Sequence, residues 1–361
     1  MLRHRSSTLS ISAESSNPSP GGRDPDVLQT SMEFTAGGSL SYKGYKINGQ
    51  GVQLSPDRPG PISPIRMADL RLLDVLGKGA SSVVKKAEMI ETGELCAVKI
   101  LETVHDPELR KQLHAELRLL MPRLHDNPSP YIVRIFDAFY CDDDRLYIVL
   151  EHCNAGSLDT AIKKSGKASE PAMSVIVRQM FLGLCYLFGN GIQHRDIKPA
   201  NVLLYLTGEV KISDFGSSKE DVCAETFVGT TRYMSPERLN GDSYSPAADV
   251  WSAGMVMLEV GFGEHPYKRF GNDGSFVAMI EYASKYDTPA LGDDFSDAAR
   301  NFASLCLQKN AVHRPTPTML VNEALMQASH PFIAHHAAAG NEAVAEWIAQ
   351  GLVQKGPLLN A

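Results

Sequence analysis

The chain has 361 residues, 43% of them hydrophobic, which is enough apolar material for one large domain or two filled lobes. Its formal net charge is −7 and it contains no long Lys/Arg block, which excludes an electrostatic footprint for nucleic acid or an anionic membrane. No apolar run is read as reaching the roughly 18–20 residues of a membrane span, and the opening MLRHRSSTLSISAESS lacks the apolar region of a secretory signal, so the expected location is the cytoplasm, with the nucleus as a second site.

Residues 1–66 are rich in Ser, Gly and Pro and end in the Pro-dense SPDRPGPISPI, which reads as a flexible extension and linker. From Met67 the character changes. Short β-branched and apolar segments (RLLDVLG, SVVKKAEM, LCAVKIL, RLYIVLEH) separated by turn residues predict an antiparallel sheet. One helix interrupts it, with Asp106 as N-cap, Pro107 at its first position and Leu109, Leu113, Leu117, Leu120 and Leu124 at helical spacing. Beyond Asn154 the pattern turns helical (SVIVRQMFLGLCYLF, DVWSAGMVMLEV, SDAARNFASLCLQ), broken by a loop-rich stretch from Gly189 to Gly241. The expected fold is therefore α+β, a small β-rich lobe (67–151) followed by a larger helical one (155–332). Residues 333–361 form a tail in which Ala343, Val344, Trp347, Ile348 and Leu352 fall on one helix face, to dock on the large lobe or on a partner. The six cysteines (96, 141, 153, 185, 223, 306) include no Cys-x-x-Cys pair, so neither a zinc site nor a disulfide framework is signalled.

Four constellations carry chemistry. Leu76-Gly77-Lys78-Gly79-Ala80-Ser81-Ser82-Val83-Val84 is a Gly-rich turn between strand-like segments. Glycines let a backbone approach phosphate closely, and its N–H groups then bond the oxygens; an ordinary hairpin turn is the bland alternative. Ala97-Val98-Lys99-Ile100 puts a lysine inside an apolar strand, where an ammonium needs anions around it; Glu116 on the Leu-rich helix and phosphate oxygens would serve. Against this, Lys99 could snorkel outward and Glu116 be one more solvated acid. The third, His194-Arg195-Asp196-Ile197-Lys198-Pro199-Ala200-Asn201, fixes six residues whose chance occurrence in such a chain is on the order of 10⁻⁵. Asp214-Phe215-Gly216, weak by itself, gains weight from following soon after it.

The third constellation resembles the catalytic loop of eukaryotic protein kinases. The resemblance implies that Asp196 accepts the proton of the attacking hydroxyl, Lys198 steadies the transferring phosphoryl group, and Asn201 and Asp214 hold Mg²⁺. Lys99 and Glu116 become the ion pair behind the phosphates. ATP would lie under residues 76–84, with Val84, Ala97 and Leu203 around adenine, Leu150 as gatekeeper and Glu151 to Cys153 as the hinge. Ser235-Pro236-Glu237 and Arg314 stand where the family places a structural ion pair, and Asp249-Val250-Trp251-Ser252 matches the helix that anchors the catalytic loop. The likeness spans about residues 70–332.

Phe227-Val228-Gly229-Thr230-Thr231-Arg232-Tyr233-Met234-Ser235-Pro236-Glu237-Arg238-Leu239 is similar to the substrate-facing loop of mitogen-activated protein kinase kinases. Phe34-Thr35 to Gly51-Val52 resembles the lead-in of plant-type members. The resemblance implies a dual-specificity enzyme, with a downstream mitogen-activated protein kinase as substrate and a kinase of the tier above as activator. Another Ser/Thr kinase of the same broad group and an inactive scaffold are the alternatives; the presence of Lys99, Glu116, Asp196, Asn201 and Asp214 disfavours the scaffold. Arg3 and Arg5 followed by Leu9-Ser10-Ile11 fit a docking motif, with charge steering first and two apolar anchors after, or else an incidental basic terminus. Two departures stand out. Ser82 replaces the third glycine of the nucleotide turn, and Thr226 stands in the proximal phosphoacceptor place before FVGT with Val222 and Glu220 where a second would be, Ser217 and Ser218 lying too close to Phe215 to match. Phosphate on Thr226 is expected to pair with Arg195, with Glu220 or Asp221 partly replacing a second phosphate.

Overall fold

The computed structural model describes residues 33–35, 39–42, 45–54, 65–79, 82–101, 128–141, 143–214, 231–242, 245–270, 287–321 and 330–354. Glu116 with its leucine-rich helix, Ala80, Ser81, Thr226, Glu220, Asp221 and the docking candidates Arg3, Arg5, Leu9 and Ile11 lie outside these residues.

Residues 33–54 correct the reading of 1–66 as a tail. They form a four-stranded antiparallel sheet, β1 (Glu33–Thr35), β2 (Ser39–Tyr42), β3 (Tyr45–Asn48) and β4 (Gly51–Leu54), in chain order. Leu40 pairs with Ile47 and Ile47 with Val52, so one face carries an apolar ladder. The two-residue loop Gly49-Gln50 follows Asn48, whose side-chain oxygen accepts the Gln50 N–H at 2.8 Å. The alternation was present in the sequence, but the Gly/Ser-rich composition hid it. Leu40 and Ile47 are fully buried in the same apolar cluster as Leu101, Ala138, Tyr140 and Leu146 of the small lobe. Ile47→Ala is accordingly expected to cost about 2–5 kcal/mol, as for other buried Ile-to-Ala changes. An unchanged urea midpoint would mean that this sheet is not part of the folding unit.

The small lobe proper is a five-stranded antiparallel sheet in the order β5-β6-β7-β9-β8: β5 (Leu70–Lys78), β6 (Ser82–Met89), β7 (Leu95–Leu101), β8 (Ile135–Tyr140) and β9 (Leu146–Glu151). Period-two alternation sorts β7 onto two faces. Cys96, Val98 and Ile100 join Leu70, Ala87, Phe139, Tyr147 and Val149 in one cluster. Ala97, Lys99 and Leu101 thereby face the other way, which sets Lys99 on the side away from that cluster.

The large lobe begins with β10 (Gly156–Ser157), α1 (Leu158–Ser165) and α2 (Glu170–Gly189), continues through β11 (Val202–Leu204), β12 (Val210–Ile212), α3 (Pro236–Leu239) and α4 (Pro246–Phe262), and closes with α5 (Asp297–Cys306), α6 (Pro317–Val321), α7 (Pro331–His335) and α8 (Glu342–Gln354). Serine N-caps start α1, α2 and α5, each accepting a backbone N–H of the first turn. Helix α2, with Arg178 its single charge after Glu170, is apolar enough by length and composition to cross a membrane, which corrects the expectation that no such run exists. Twelve of its residues are buried inside the lobe, among them Phe181, edge-on to Phe302 of α5 at 5.3 Å, so it is a core helix. Helix α4 is buried almost all round as well.

The open choice for the C-terminal tail resolves toward the lobe. Val344, Trp347 and Ile348 of α8 are buried in the main core and the helix packs on α1 and α2, while Leu352 stays 49% exposed. The boundary drawn at 332/333 therefore does not separate a tail from the core.

Candidate active site

Among the described residues, Lys99, Asp196, Lys198, Asn201 and Asp214 come together at the junction of the lobes. The loop after α2 is held from below by Asp249 in the first turn of α4: its carboxylate accepts the N–H groups of His194 and Arg195, both at 2.9 Å. This pair of bonds holds Arg195 in a left-handed conformation, φ 70°, which a non-glycine residue adopts only when its surroundings compel it. The His194 ring accepts the Asp196 N–H at Nδ1 (3.2 Å), so its proton sits on Nε2, which donates to the Ser213 carbonyl at 2.9 Å. One imidazole thus ties the loop to the residue before Asp214.

Asp196 is 6% exposed. Its Oδ2 accepts from Lys198 Nζ at 2.7 Å and from Asn201 Nδ2 at 2.9 Å. Asn201 also bonds the Asp196 carbonyl through Nδ2, and its own carbonyl accepts the N–H and the hydroxyl of Ser213 at 2.8 and 3.1 Å. Asp214, at φ 61°, carries the second strained backbone of the site. Its Oδ1 meets Lys99 Nζ at 2.8 Å. Desolvation would raise the Asp214 carboxyl, but its side chain remains 45% exposed, and the charge and hydrogen bond of Lys99 together with the positive charge of Lys198 hold it well below the usual carboxylate range. Lys99, placed by the alternation of β7, does not snorkel outward; its side chain is only 10% exposed.

The Gly-rich segment is a hairpin of β5 and β6, with Gly77 opposite Val84, Lys78 opposite Val83, and the Gly79 N–H donating to the Ser82 carbonyl at 2.8 Å. Val84 stands across from Lys99, and Ala97 from Leu150. Leu76 is half-exposed and Leu203 partly buried on β11. Cys153 is buried, which pushes its thiol up to about 12 and leaves it unreactive at neutral pH.

Sequence reasoning placed Glu151 in the hinge but missed what its side chain does. Its carboxylate accepts from Lys211 of β12 at 2.9 Å, from the Tyr205 hydroxyl at 3.2 Å and from the Arg134 N–H at 2.7 Å, tying β9 to the strand that leads to Asp214. A single acid at the end of the apolar strand LYIVLE and a single lysine in VKI carry no distinctive signal for it. Glu237 and Arg314 meet as expected, through two bonds of 2.6 Å. The remaining guanidinium N–H groups donate to the carbonyls of Gln308, Ala247 and Lys309, and the plane lies 5.1 Å from the Trp251 ring.

The protein kinase domain family matches residues 70–326. Among curated proteins, the chain is 39% identical to Mitogen-activated protein kinase kinase 3 of Arabidopsis thaliana over 74% of its own length and 50% of that protein's, so it spans half the length of that relative. It is 35% identical to Mitogen-activated protein kinase kinase 1c of Physcomitrium patens over 81% of this chain and 89% of that one. Mitogen-activated protein kinase kinase kinase 3 of A. thaliana is 34% identical over 72% of this chain but only 41% of its own length.

Proposed function

Because this chain belongs to the protein kinase family and, within it, to the mitogen-activated protein kinase kinases, we propose that it phosphorylates the Thr and the Tyr of a downstream mitogen-activated protein kinase activation loop. Magnesium ATP, when bound, supplies the γ-phosphoryl group and a neutralising divalent cation. The residues suit both. Asp214 and the Asn201 side-chain carbonyl offer oxygen donors to a hard cation that keeps the rest of its shell for phosphate and water. Lys99 offers an ammonium to phosphate, and the glycines of the β5–β6 hairpin let the backbone come close to the phosphate oxygens.

Asp196 is the proposed base. Fixed by Lys198 and Asn201, its carboxylate takes the proton of the incoming hydroxyl while Lys198 places positive charge beside the transferring group. Because phosphoryl transfer depends on positioning and charge neutralisation, rigidity here counts for more than reactivity. The observation that carries the reading is the continuous brace Asp249–His194–Asp196–Asn201–Ser213, which sets the base and the metal ligand in one frame. In the same proposal Arg195, exposed beside Gln193, pairs with a phosphate on Thr226. Docking of the substrate kinase through Arg3, Arg5, Leu9 and Ile11 belongs to the same proposal.

The test is mass spectrometry of candidate mitogen-activated protein kinases, each made unable to use ATP, after incubation with the Thr226→Glu form and Mg-ATP. Paired phosphorylation of one Thr-x-Tyr loop is the expected result. Phosphate confined to Ser and Thr of generic proteins would instead favour a kinase of the tier above, which matches this chain over a smaller share of its length. Thr226→Ala is expected to stay at basal activity after treatment with an upstream kinase; full activation of that variant would remove Thr226 from the mechanism.

A further inference from the structure

Gln179 is a polar residue in the middle of the apolar helix α2, 4% exposed, and its amide is fully used. Nε2 donates to the Gly208 carbonyl at 3.2 Å and to Asn341 Oδ1 at 3.1 Å, and Oε1 accepts the Val210 N–H at 3.0 Å. Three separate pieces of chain meet there: the core helix, the turn between β11 and β12, and the C-terminal segment beyond the matched kinase domain. Asn341 is also the start of α8, since its carbonyl accepts the N–H groups of Val344 and Ala345.

The contact with the turn is direct. Gly208 has φ +92°, and a Cβ there would lie 2.0 Å from the Asn341 carbonyl oxygen, so the turn rests on the C-terminal backbone itself. At its far end α8 is equally close to α1: a Cβ on Gly351 would fall 2.2 Å from Ser165 Oγ. Between these anchors Val344, Trp347 and Ile348 are buried. The segment is a strap fixed at both ends.

Strand β12 begins at Val210, the residue whose N–H Gln179 holds, and two residues past its end is Asp214. It has three residues; its strand partner is β11, itself three residues long, and a single parallel bridge between Ile132 and Ile212 adds to this pairing. So short a ladder specifies register weakly. Its supports beside that ladder include Gln179 at Val210, the Glu151 carboxylate at Lys211 (2.9 Å), the Tyr131 carbonyl and the Val133 N–H at Ile212 (both 2.9 Å) and Asn201 at Ser213. The first of these is oriented by the strap through Asn341.

We propose that Gln179 and Asn341 are positioning residues for Asp214, so that the C-terminal strap, by fixing the β11–β12 turn, sets the metal-binding carboxylate in its working place. This rests on the reading of Asp214 as a magnesium ligand. The strap touches no reacting atom; it acts by narrowing the positions that β12 can occupy.

Asn341→Leu removes the acceptor at a half-buried position where folding should survive, and Gln179→Leu removes the hub. Asn341→Asp keeps an oxygen for Gln179. Each full-length variant would be examined below its own melting temperature by hydrogen exchange of residues 205–214 and by calorimetric binding of a non-hydrolysable ATP analogue across a magnesium series. In Asn341→Leu, exchange at Val210 should speed up about tenfold, the loss of one net hydrogen bond. The half-saturating magnesium concentration should rise roughly 2- to 30-fold, the range of couplings carried through packed networks. Asn341→Asp should restore both. Unchanged exchange and magnesium dependence in Asn341→Leu, with only a lower melting temperature, would reduce the strap to a structural brace and overturn the proposal. A wild-type protein that binds the analogue without any magnesium dependence would overturn the metal-ligand reading as well, which separates the two failures.

Discussion

Replacing Asp214 by alanine is expected to lower phosphoryl transfer by at least about 10²–10³-fold, the scale at which removing one preorganised electrostatic group acts, while leaving the lobes folded. The side chain is 45% exposed, so truncation opens no cavity in the core. What disappears is the carboxylate nearest Lys99 and the oxygen donor to magnesium. The companion change Asp196→Asn separates the roles. It keeps the shape and the bond to Lys198 or Asn201 but removes the base, so kcat should fall about 10²–10⁴-fold, as for other lost general bases, with magnesium-dependent nucleotide affinity little altered. Asp214→Ala should lose that affinity. Equal nucleotide binding by the two variants would contradict the assignment of base and metal ligand. Because Lys99 holds the Asp214 carboxyl below the usual carboxylate range, its ionised form should persist through the ordinary assay range, and any activity loss between pH 5 and 8 must come from another group.

The second large effect is structural. Arg314→Leu is expected to destabilise the protein by about 3–5 kcal/mol, because it strands Glu237 as a buried charge that has lost its partner. The Arg314 side chain is wholly buried, and all five of its N–H groups are used. Lysine cannot replace it, since one ammonium cannot reach Glu237 and three carbonyls in a planar fork. Burial by itself would raise the Glu237 carboxyl, but its bonds to Arg314 lower it below its ordinary value. A depressed acid contributes stability that is present above its unfolded-state value and lost as pH falls through the folded one, so this contribution should vanish at the acid end, below about pH 4.5. Urea titration of wild type and variant at pH 7 and pH 3 measures both statements. A difference under about 1 kcal/mol at pH 7, the value of an exposed pair, would refute them.

The order of chemical groups was readable because protein kinase chemistry is concentrated in short runs. Residues 194–201 carry a base, a cation and a metal ligand within eight positions, and no rearrangement of the fold can separate them far. Lys99 was readable for a related reason: a cation at an alternate position of an apolar strand must face something polar, and β7 turns it toward Asp214. The N-terminal sheet is hard to see in the sequence: Leu40/Tyr42, Tyr45/Ile47 and Val52/Leu54 alternate, but the Gly and Ser residues around them give the composition of a linker. The apolar length of α2 is that of a membrane span, and only its burial distinguishes it from one.

By itself the sequence determined the order of the catalytic groups, the two-lobe α+β division and the hairpin form of the Gly-rich turn, since each depends on residues close together in the chain. Tertiary structure alone decided that residues 33–54 pack on the small lobe, that α8 docks on α1 and α2, and that Gln179 joins β12 to Asn341 across 162 positions. A glutamine in a helix and an asparagine in a tail carry no mark of each other; their pairing is imposed by the packing that excludes water around them and leaves each as the other's remaining partner.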